Sequence, residues 1–402
     1  MFVARPAVVA VVTALIVIAF HGSARAQGGG PFTFDAGDYT LQLGGLIQLD
    51  GRFAADDPLH AVTDTFVLRR VRPILQGRLA RFFDFRIMPD FGNGTVVLYD
   101  AYFDTRFSDT FRLRVGKDKT PIGLEQLQAD YSVLFPERTL ATNLVPNRDV
   151  GIQAQGTLAR GTLSYVAAVF NGVPDAANGD VDVNRGKDIV GRVTLTPFVH
   201  AVGRGTLGVA VAASTGDEAG ALPSFKSTDQ QTFFSYAAGT VADGPRRRVS
   251  PSAYFYRKAF GAFGEYVRST QAVSRGPVHA DLAHSAWEAT VSCVVTGETA
   301  SDRGVTPRRR FDPGAGTWGA LQIAARLSAL QLDAQAFALG LAAAEASRRA
   351  SAAGVSASWY LNQYVKYVLS YERTVFDDSP SGPRPAEHAV VFRLQINVQP
   401  SS

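Results

Sequence analysis

The sequence has almost no cysteine. Cys293 is the single one in 402 residues, so the chain can form no internal disulfide and no cysteine-based metal centre, which excludes zinc-finger and dithiol redox functions. It also lacks an excess of either charge. Lys and Arg number 40 against 36 Asp and Glu, which gives no overall attraction for nucleic acid. Past the N-terminus no stretch of about 18 apolar residues is free of charge. The nearest approach, from Leu321 to Ala346, is broken by Arg326, Asp333 and Glu345. Helical membrane spans are therefore excluded from that part of the chain. Disorder is excluded too, because 46% of residues are hydrophobic and only 19% are charged.

The one long apolar run is at the start. Met1 to Arg5 is short and basic, Ala7 to Phe20 is apolar, and Ala24-Arg25-Ala26 has the small-x-small form of a signal peptidase site. The run is too short for a membrane anchor, and the cleavage triplet follows at once. These features predict a signal peptide over 1–26 and a mature domain over 27–402. Removing Arg5 and Arg25 lowers the formal net charge from +4 to +2.

What is abundant is alternation. In Val67 to Ala80 one set of alternate residues is mostly apolar, and the other carries Arg70, Arg72, Gln76 and Arg78. Phe83, Phe85 and Ile87 alternate with Asp84, Arg86 and Met88; Val97, Tyr99, Ala101 and Phe103 with Asp100, Tyr102 and Asp104. Phe111, Leu113 and Val115 alternate with Arg112 and Arg114, and Phe392, Leu394, Ile396 and Val398 with Arg393, Gln395 and Asn397. A period of two places one set on each face of a strand. Repeated along most of a secreted chain, with aromatics near strand ends, it predicts an all-β fold: a transmembrane antiparallel β-barrel, apolar outside and polar inside. About 16 strands of 10–11 residues fit comfortably within the length. The segments Asn171 to Gly186, Ser214 to Gln231, Ala242 to Arg248, Glu298 to Gly316 and Phe376 to Glu387 are rich in Gly, Asp, Ser, Pro and Arg. They are expected as extracellular loops. Helical spacing is confined to Ala334 to Arg349, which equally suits two small-residue strands and a loop.

Several blocks, in order, make the chain resemble the phosphate-selective porin O and P family. They are Phe66-Val67-Leu68-Arg69-Arg70-Val71-Arg72, Leu98-Tyr99-Asp100-Ala101-Tyr102, and Leu113-Arg114-Val115-Gly116-Lys117 with Lys119-Thr120-Pro121-Ile122-Gly123-Leu124-Glu125. Phe135-Pro136-Glu137-Arg138, Asn147-Arg148-Asp149-Val150-Gly151, Val169-Phe170-Asn171-Gly172, Trp359-Tyr360-Leu361-Asn362 and Phe392-Arg393-Leu394-Gln395 follow. The resemblance implies a homotrimeric, 16-stranded channel in the outer membrane of a Gram-negative bacterium. Its third loop would fold into the lumen, from near Thr120-Pro121 to near Arg148-Asp149. The resemblance also implies passive diffusion of small anions, phosphate or polyphosphate, through an arginine-lined pore. It implies no cofactor, with lipid and lipopolysaccharide as surroundings.

The candidate pore-lining, anion-binding residues are Arg70, Arg72, Arg78, Arg86, Arg112, Arg114, Arg138 and Arg148. Guanidinium groups stay charged and offer planar paired donors to phosphate. The competing role is bracing, since Asp84, Asp90, Asp100 and Asp104 are expected on the same face. The lysines of the family's phosphate-binding members are missing, because Gln126 follows Glu125 and no lysine occurs between Lys119 and Lys187. By alternation Lys117 and Lys119 fall on the lipid side, unless Pro121 marks the strand end. A general-diffusion porin is thus an equal alternative.

Enzyme and metal motifs are weak. Gly314 to Gly319 has dinucleotide-fingerprint spacing without the strand–loop–helix context. His279, His284 and Glu288 lack the spacing of a metal site. No Gly-x-Ser-x-Gly elbow occurs. No catalytic residue is assigned. Arg246-Arg247-Arg248 and Arg308-Arg309-Arg310 read as solvated loops that touch lipopolysaccharide phosphates rather than nucleic acid. A barrel enzyme and a plugged adhesive barrel are the remaining classes.

Overall fold

The computed structural model describes residues 32–56, 63–182, 184–198, 205–377, 379 and 382–399; the signal peptide expected over 1–26 lies outside them. Sixteen strands form one closed antiparallel barrel. In chain order they are β1 (Tyr39–Ala54), β2 (Thr65–Leu79), β3 (Phe83–Asp90), β4 (Val97–Ser108), β5 (Phe111–Lys119), β6 (Arg148–Leu158), β7 (Leu163–Phe170) and β8 (Asp188–Leu195). Then come β9 (Thr206–Gly220), β10 (Val241–Arg257), β11 (Phe260–Arg275), β12 (Val278–Val294), β13 (Ala320–Gln331), β14 (Arg349–Tyr360), β15 (Val365–Phe376) and β16 (Glu387–Val398). Each strand pairs with the next, and β16 closes on β1 with Gln395 opposite Gln48. A short strand, Thr33–Ala36, folds back along the start of β1.

Closure removes every free edge, which is what a sheet must do where lipid offers no hydrogen bonds. The outward residues supply the lipid face. Val169, Ile189, Val193, Val209 and Val211 on β7 to β9, and Ile323, Leu327, Val355, Leu369 and Phe392 on β13 to β16, are all exposed large hydrophobics. Their neighbours in sequence point inward and, apart from the half-buried Thr194, are buried. Many inward positions of β9 to β14 are small: Ala210, Ala212, Ser250, Ser269, Ala286, Ser328, Ala350, Ala352 and Ser356 are all buried. Small residues leave room for something else inside the barrel.

The connections at the end that carries both termini are mostly short turns, as at 80–82, 109–110 and 258–259. Those at the other end are mostly loops, as at 120–147 and 221–240. In barrels of this kind the short turns face the periplasm. Two connections invert the rule. The loop-end link between β11 and β12 is only Gly276 and Pro277, while the turn-end link between β12 and β13 spans 295–319. The expectation that Glu298 to Gly316 is extracellular is therefore corrected. This segment folds back under the lumen, where Ala300 and Val305 pack with Val294, Ala320 and Tyr360.

Of two other expected loops, Ser214 to Gln231 is strand in its first part and Ala242 to Arg248 is strand throughout. Ser214 to Gly220 ends β9, and Ala242 to Arg248 begins β10. Both lie where the strands outrun the apolar band, so they carry polar residues on both faces and lose the alternation that marks a strand. The helical option over Ala334 to Arg349 reduces to one turn, Ala334–Ala338.

A charge on the lipid face tests this assignment. Val355→Arg, at mid-strand, should destabilise the folded barrel by about 2–4 kcal/mol. Urea titration of the reconstituted protein measures this; no loss would move the membrane band away from β14.

Candidate functional site

The lumen is crossed by the 28-position connection between β5 and β6, residues 120–147. Gly123, at φ +81, turns the chain into the single helical turn Leu124–Leu127. The first two amides of that turn donate to the Glu265 carboxylate on β11, Leu124 N at 2.6 Å and Glu125 N at 3.2 Å. Glu125 in turn accepts from Thr139, N at 2.7 Å and Oγ1 at 2.9 Å, closing the loop on itself.

The next stretch runs along the inside of the wall, and its carbonyls are taken up one strand at a time. Gln48 on β1 donates to Asp130 O at 3.1 Å, and Gln395 on β16 to Tyr131 O at 3.0 Å. Lys366 on β15 donates to Val133 O at 3.2 Å, and Ser356 on β14 to Leu134 O at 2.9 Å. Arg326 on β13 donates to Glu137 O at 2.8 Å while it pairs with Glu372 at 2.7 Å and lies over the Phe135 ring. Each such bond is worth about 1 kcal/mol net, more where the donor is charged.

The remainder of the loop packs by apolar contact. Ile122, Leu140, Ala141 and Leu144 share a cluster with Ala168, Val190, Ala212, Ala286 and Ala352 of the wall. A hairpin from the connection 221–240 sits on it, with Phe225, Phe233 and Phe234 buried in the same cluster. Asn143 joins the two by exchanging hydrogen bonds with the backbone of Lys226, both at 2.9 Å. The sequence reading missed this insertion; three phenylalanines in a loop otherwise rich in Ser, Thr and Gln were its only signal.

The loop thus covers the wall from β7 round to β1, and the open perimeter is β2 to β6. A cavity of ≈ 360 Å³ lies there, between the loop and the wall. Arg69, Arg70, Arg72, Arg138, Arg148 and Lys226 line it against Asp130, Glu137 and Asp175, a net charge of +3. Asp130 is the hub. It pairs with Arg72, with Arg138 at 2.5 Å, with Arg70 at 3.6 Å and with Arg148 at 4.0 Å. Burial alone would raise the Asp130 carboxyl, but Arg138, Arg72 and Arg70 hold it well below the ordinary value of 3.8. Glu137 is buried likewise and is held low by Arg69 and Arg52.

Every candidate arginine has a carboxylate neighbour. Arg72 reaches Asp90 at 2.6 Å, Arg148 reaches Asp100 at 2.8 Å, and Arg86 reaches Asp100 at 3.2 Å. Arg114 and Arg112 share Asp104, at 2.7 and 3.5 Å. Arg78 is paired with Asp84 at 3.1 Å near the turn end, away from the constriction. Arg70, Arg72, Arg138 and Arg148 are brought together; Arg86, Arg112 and Arg114 extend the row towards the turns.

Two bulges alter the expected facing. Gln48 opposes Arg70 while Leu49 opposes Leu68, so Arg69 is the extra residue and shifts the phase of β2. Leu68 is consequently exposed outside although it shares even parity with Arg70 and Arg72, and Arg69 reaches Glu137 at 2.6 Å. Met88 opposes Asp100 and Pro89 opposes Leu98, which turns Tyr99 inward. Its ring lies 4.0 Å from the Arg72 guanidinium and 4.3 Å from that of Arg148. Tyr99 and Arg69 were both expected on the lipid side. Lys117 and Lys119 also depart from simple alternation: Lys117 pairs with Asp180, and Lys119 donates to Gln128 O at 2.6 Å, since β5 ends at Lys119 and Gly116 breaks its pleat at φ +126.

Arg246 and Arg248, expected in a solvated loop, are buried on β10. They bind Asp188 at 2.8 and 2.9 Å, and Arg248 binds Asp175 at 2.6 Å; only Arg247 faces outward. The two candidate histidines stay apart. His279 is exposed beside Asp243 at 3.6 Å, whereas His284 is buried against the Tyr236 hydroxyl at 2.8 Å.

A family described as phosphate-selective porin O and P matches residues 41–398. No curated protein matches the chain in sequence. Among solved structures, the outer membrane channel DcaP of Acinetobacter baumannii is similar with a TM-score of 0.60 at 12% identity, over 91% of this chain and 99% of that one. An anion-selective porin from Comamonas acidovorans is similar with a TM-score of 0.57 at 10% identity, over 89% and 99%. A trimer form of OmpT from Vibrio cholerae has a TM-score of 0.55 at 10% identity, over 90% and 100%. At these identities the likeness is one of fold.

Two outcomes follow from the loop geometry. Deleting Leu127 to Leu144 should raise single-channel conductance severalfold, and an unchanged conductance would mean that the loop does not narrow the pore. The pH dependence has a definite sign: a carboxyl whose folded value is depressed contributes stability above its unfolded value and loses it as pH falls through the folded one. The contribution of Asp130 should therefore persist down to the ordinary carboxylate value of 3.8, so that the conductance of Asp130→Asn should differ from that of the parent channel at about pH 7 and at about pH 5 alike. A difference that disappears by about pH 5 would remove Asp130 as the hub.

Proposed function

The chain belongs to the phosphate-selective porin O and P family, and from that membership and the charge of its constriction we propose that it passes small anions by diffusion. As a member of that family with a porin barrel, it is an outer-membrane channel of a Gram-negative bacterium rather than an enzyme. The observation that carries the anion preference is the net charge of +3 around the cavity beside the inserted loop, from the six cations and three carboxylates named above. Rings of Arg and Lys favour anions in a pore. The barrel is delivered by the signal peptide and lies among lipid and lipopolysaccharide.

The pairing pattern favours a general anion channel over a phosphate-binding one. The constriction guanidiniums already hold carboxylates, and Arg69 does so at two atoms, Nε at 2.6 Å and Nη2 at 2.9 Å on Glu137. A phosphate entering here would have to displace these partners. The fields of the surplus cations still reach the passage, so sign selectivity persists without tight binding.

A homotrimer is the proposed assembly. The outward face of β2 to β5 is rich in aromatics, with Phe83 stacked on Phe103 at 5.5 Å and Phe107 near Phe111 at 5.3 Å, and that of β14 to β16 carries a second group, with Tyr367 stacked on Phe392 at 5.5 Å. The OmpT structure cited above is itself a trimer form.

Planar-bilayer recording in a salt gradient tests the reading. The reversal potential should carry the anion sign, and inorganic phosphate added to chloride should block only weakly, without the tight saturation of a dedicated phosphate site. Replacing Arg70, Arg72 and Arg86 by Ala should move the reversal potential towards cations, because the freed Asp90, Asp100 and Asp130 then face the passage. An unmoved potential would assign these arginines to bracing alone. A folded barrel without conductance would favour a plugged lumen, the reading suggested by the buried loop-and-hairpin cluster.

A further inference from the structure

Below the constriction, on the turn side, lies a second cavity of ≈ 300 Å³ between the loop tip at Tyr131, the inward-folded connection at Arg303 to Thr306, and the ends of β14 to β16. Its chemistry is the reverse of the constriction's. No Asp or Glu lines it among the described residues, and its two cations, Lys366 and Arg303, make no ion pair there. Lys366 is buried and uses one of its three donors, on Val133 O at 3.2 Å.

The amides around these cations present donors. Asn362 Oδ1 is occupied by the backbone amides of Tyr364 at 2.8 Å and Val365 at 2.9 Å. Asn397 Oδ1 accepts from Gln399. The amide nitrogens of Asn362 and Asn397 have no partner among the described residues, nor do the hydroxyls of Tyr131 and Tyr364. Free donors beside two unpaired cations call for a ligand rich in acceptors. The volume lies at the lower end of small-molecule sites and is far more than a bare oxyanion fills. Tyrosine rings additionally offer flat apolar faces of the kind that cover the C–H face of a sugar ring.

We propose that this cavity is an exit subsite for a hydroxylated anion of the sugar phosphate class, with Lys366 and Arg303 on the phosphate and with Asn362, Asn397 and the tyrosines on the hydroxyls. The proposal rests on the anion-channel reading and adds to it where, and for which solute, the channel binds. Anions cross the constriction on its field alone and pause here, where the cations are unclaimed.

The test uses the purified trimer-competent full barrel in a planar bilayer, with glucose 6-phosphate, inorganic phosphate and glucose as probes in chloride. Glucose 6-phosphate should block the current at a concentration about tenfold below that of inorganic phosphate. The ratio should fall towards one in Lys366→Gln and in Asn397→Leu, and recover in Lys366→Arg. Asn397→Leu spares the bond to Val133, so a loop displaced by the lysine change cannot mimic the result. Equal block by both phosphates, or a ratio untouched by both variants, overturns the subsite. Block by glucose as strong as by glucose 6-phosphate overturns its anionic half. The reversal potential is read on the same channels: an anion sign with equal block sinks this subsite alone, whereas a cation sign sinks the anion-channel reading with it.

Discussion

A chain that crosses the inside of a barrel must find partners for its own backbone, and the structure is arranged around that demand. Buried carbonyls without donors cost about 1–3 kcal/mol each. From Asp130 to Glu137 the wall provides those donors from β1, β16, β15, β14 and β13 in turn. The rest follows from seating the loop there. Wall residues on β9 to β14 are small because the loop occupies their space. Gly354 shows the limit: a Cβ at that position would meet Phe135 of the loop at 3.2 Å and Glu372 at 3.1 Å.

The same seating determines the electrostatics. With one side of the lumen filled, the passage runs beside β2 to β6, where the arginines stand. Buried ion pairs gain little net stability, because desolvation offsets the attraction. Their value here is positional. Asp130 ties loop and wall together through arginines of β2, β6 and the loop itself. Removing either partner would leave a charge buried in a confined space, so the pairs hold the loop more by what their loss would cost than by what they contribute.

The barrel was legible in the sequence because a lipid face and a wet lumen impose a period of two on most strands. The span of the inserted loop was legible from the resemblance, and β5 and β6 end within a residue of the expected limits. Three features were not legible, each for a physical reason. A bulge leaves composition unchanged and shifts phase by one residue, so Arg69 and Tyr99 were placed on the wrong side. Strands that rise beyond the membrane lose their apolar face, so Arg246 and Arg248 read as loop. Asp84, Asp90, Asp100 and Asp104 were expected as braces beside the arginines and do pair with them, but the hub Asp130 was not legible, because it comes from the inserted loop, 58 positions from Arg72.

The wall is not of even height. β10, β11 and β12 have 17, 16 and 17 residues, whereas β3, β7 and β8 have 8 each. At about 3.3 Å per residue and a tilt of about 45°, the tall strands span about 40 Å against an apolar band of about 25 Å. Outside, their character changes above the facing pair Tyr266 and Trp287, where Arg268 and Arg247 and then His279 and Asp281 take over. The excess stands clear of the lipid as a parapet closed by Gly276 and Pro277 alone. A peptide grafted between those two residues would be held on a two-strand crest outside the lipid, away from the lumen-facing arginines.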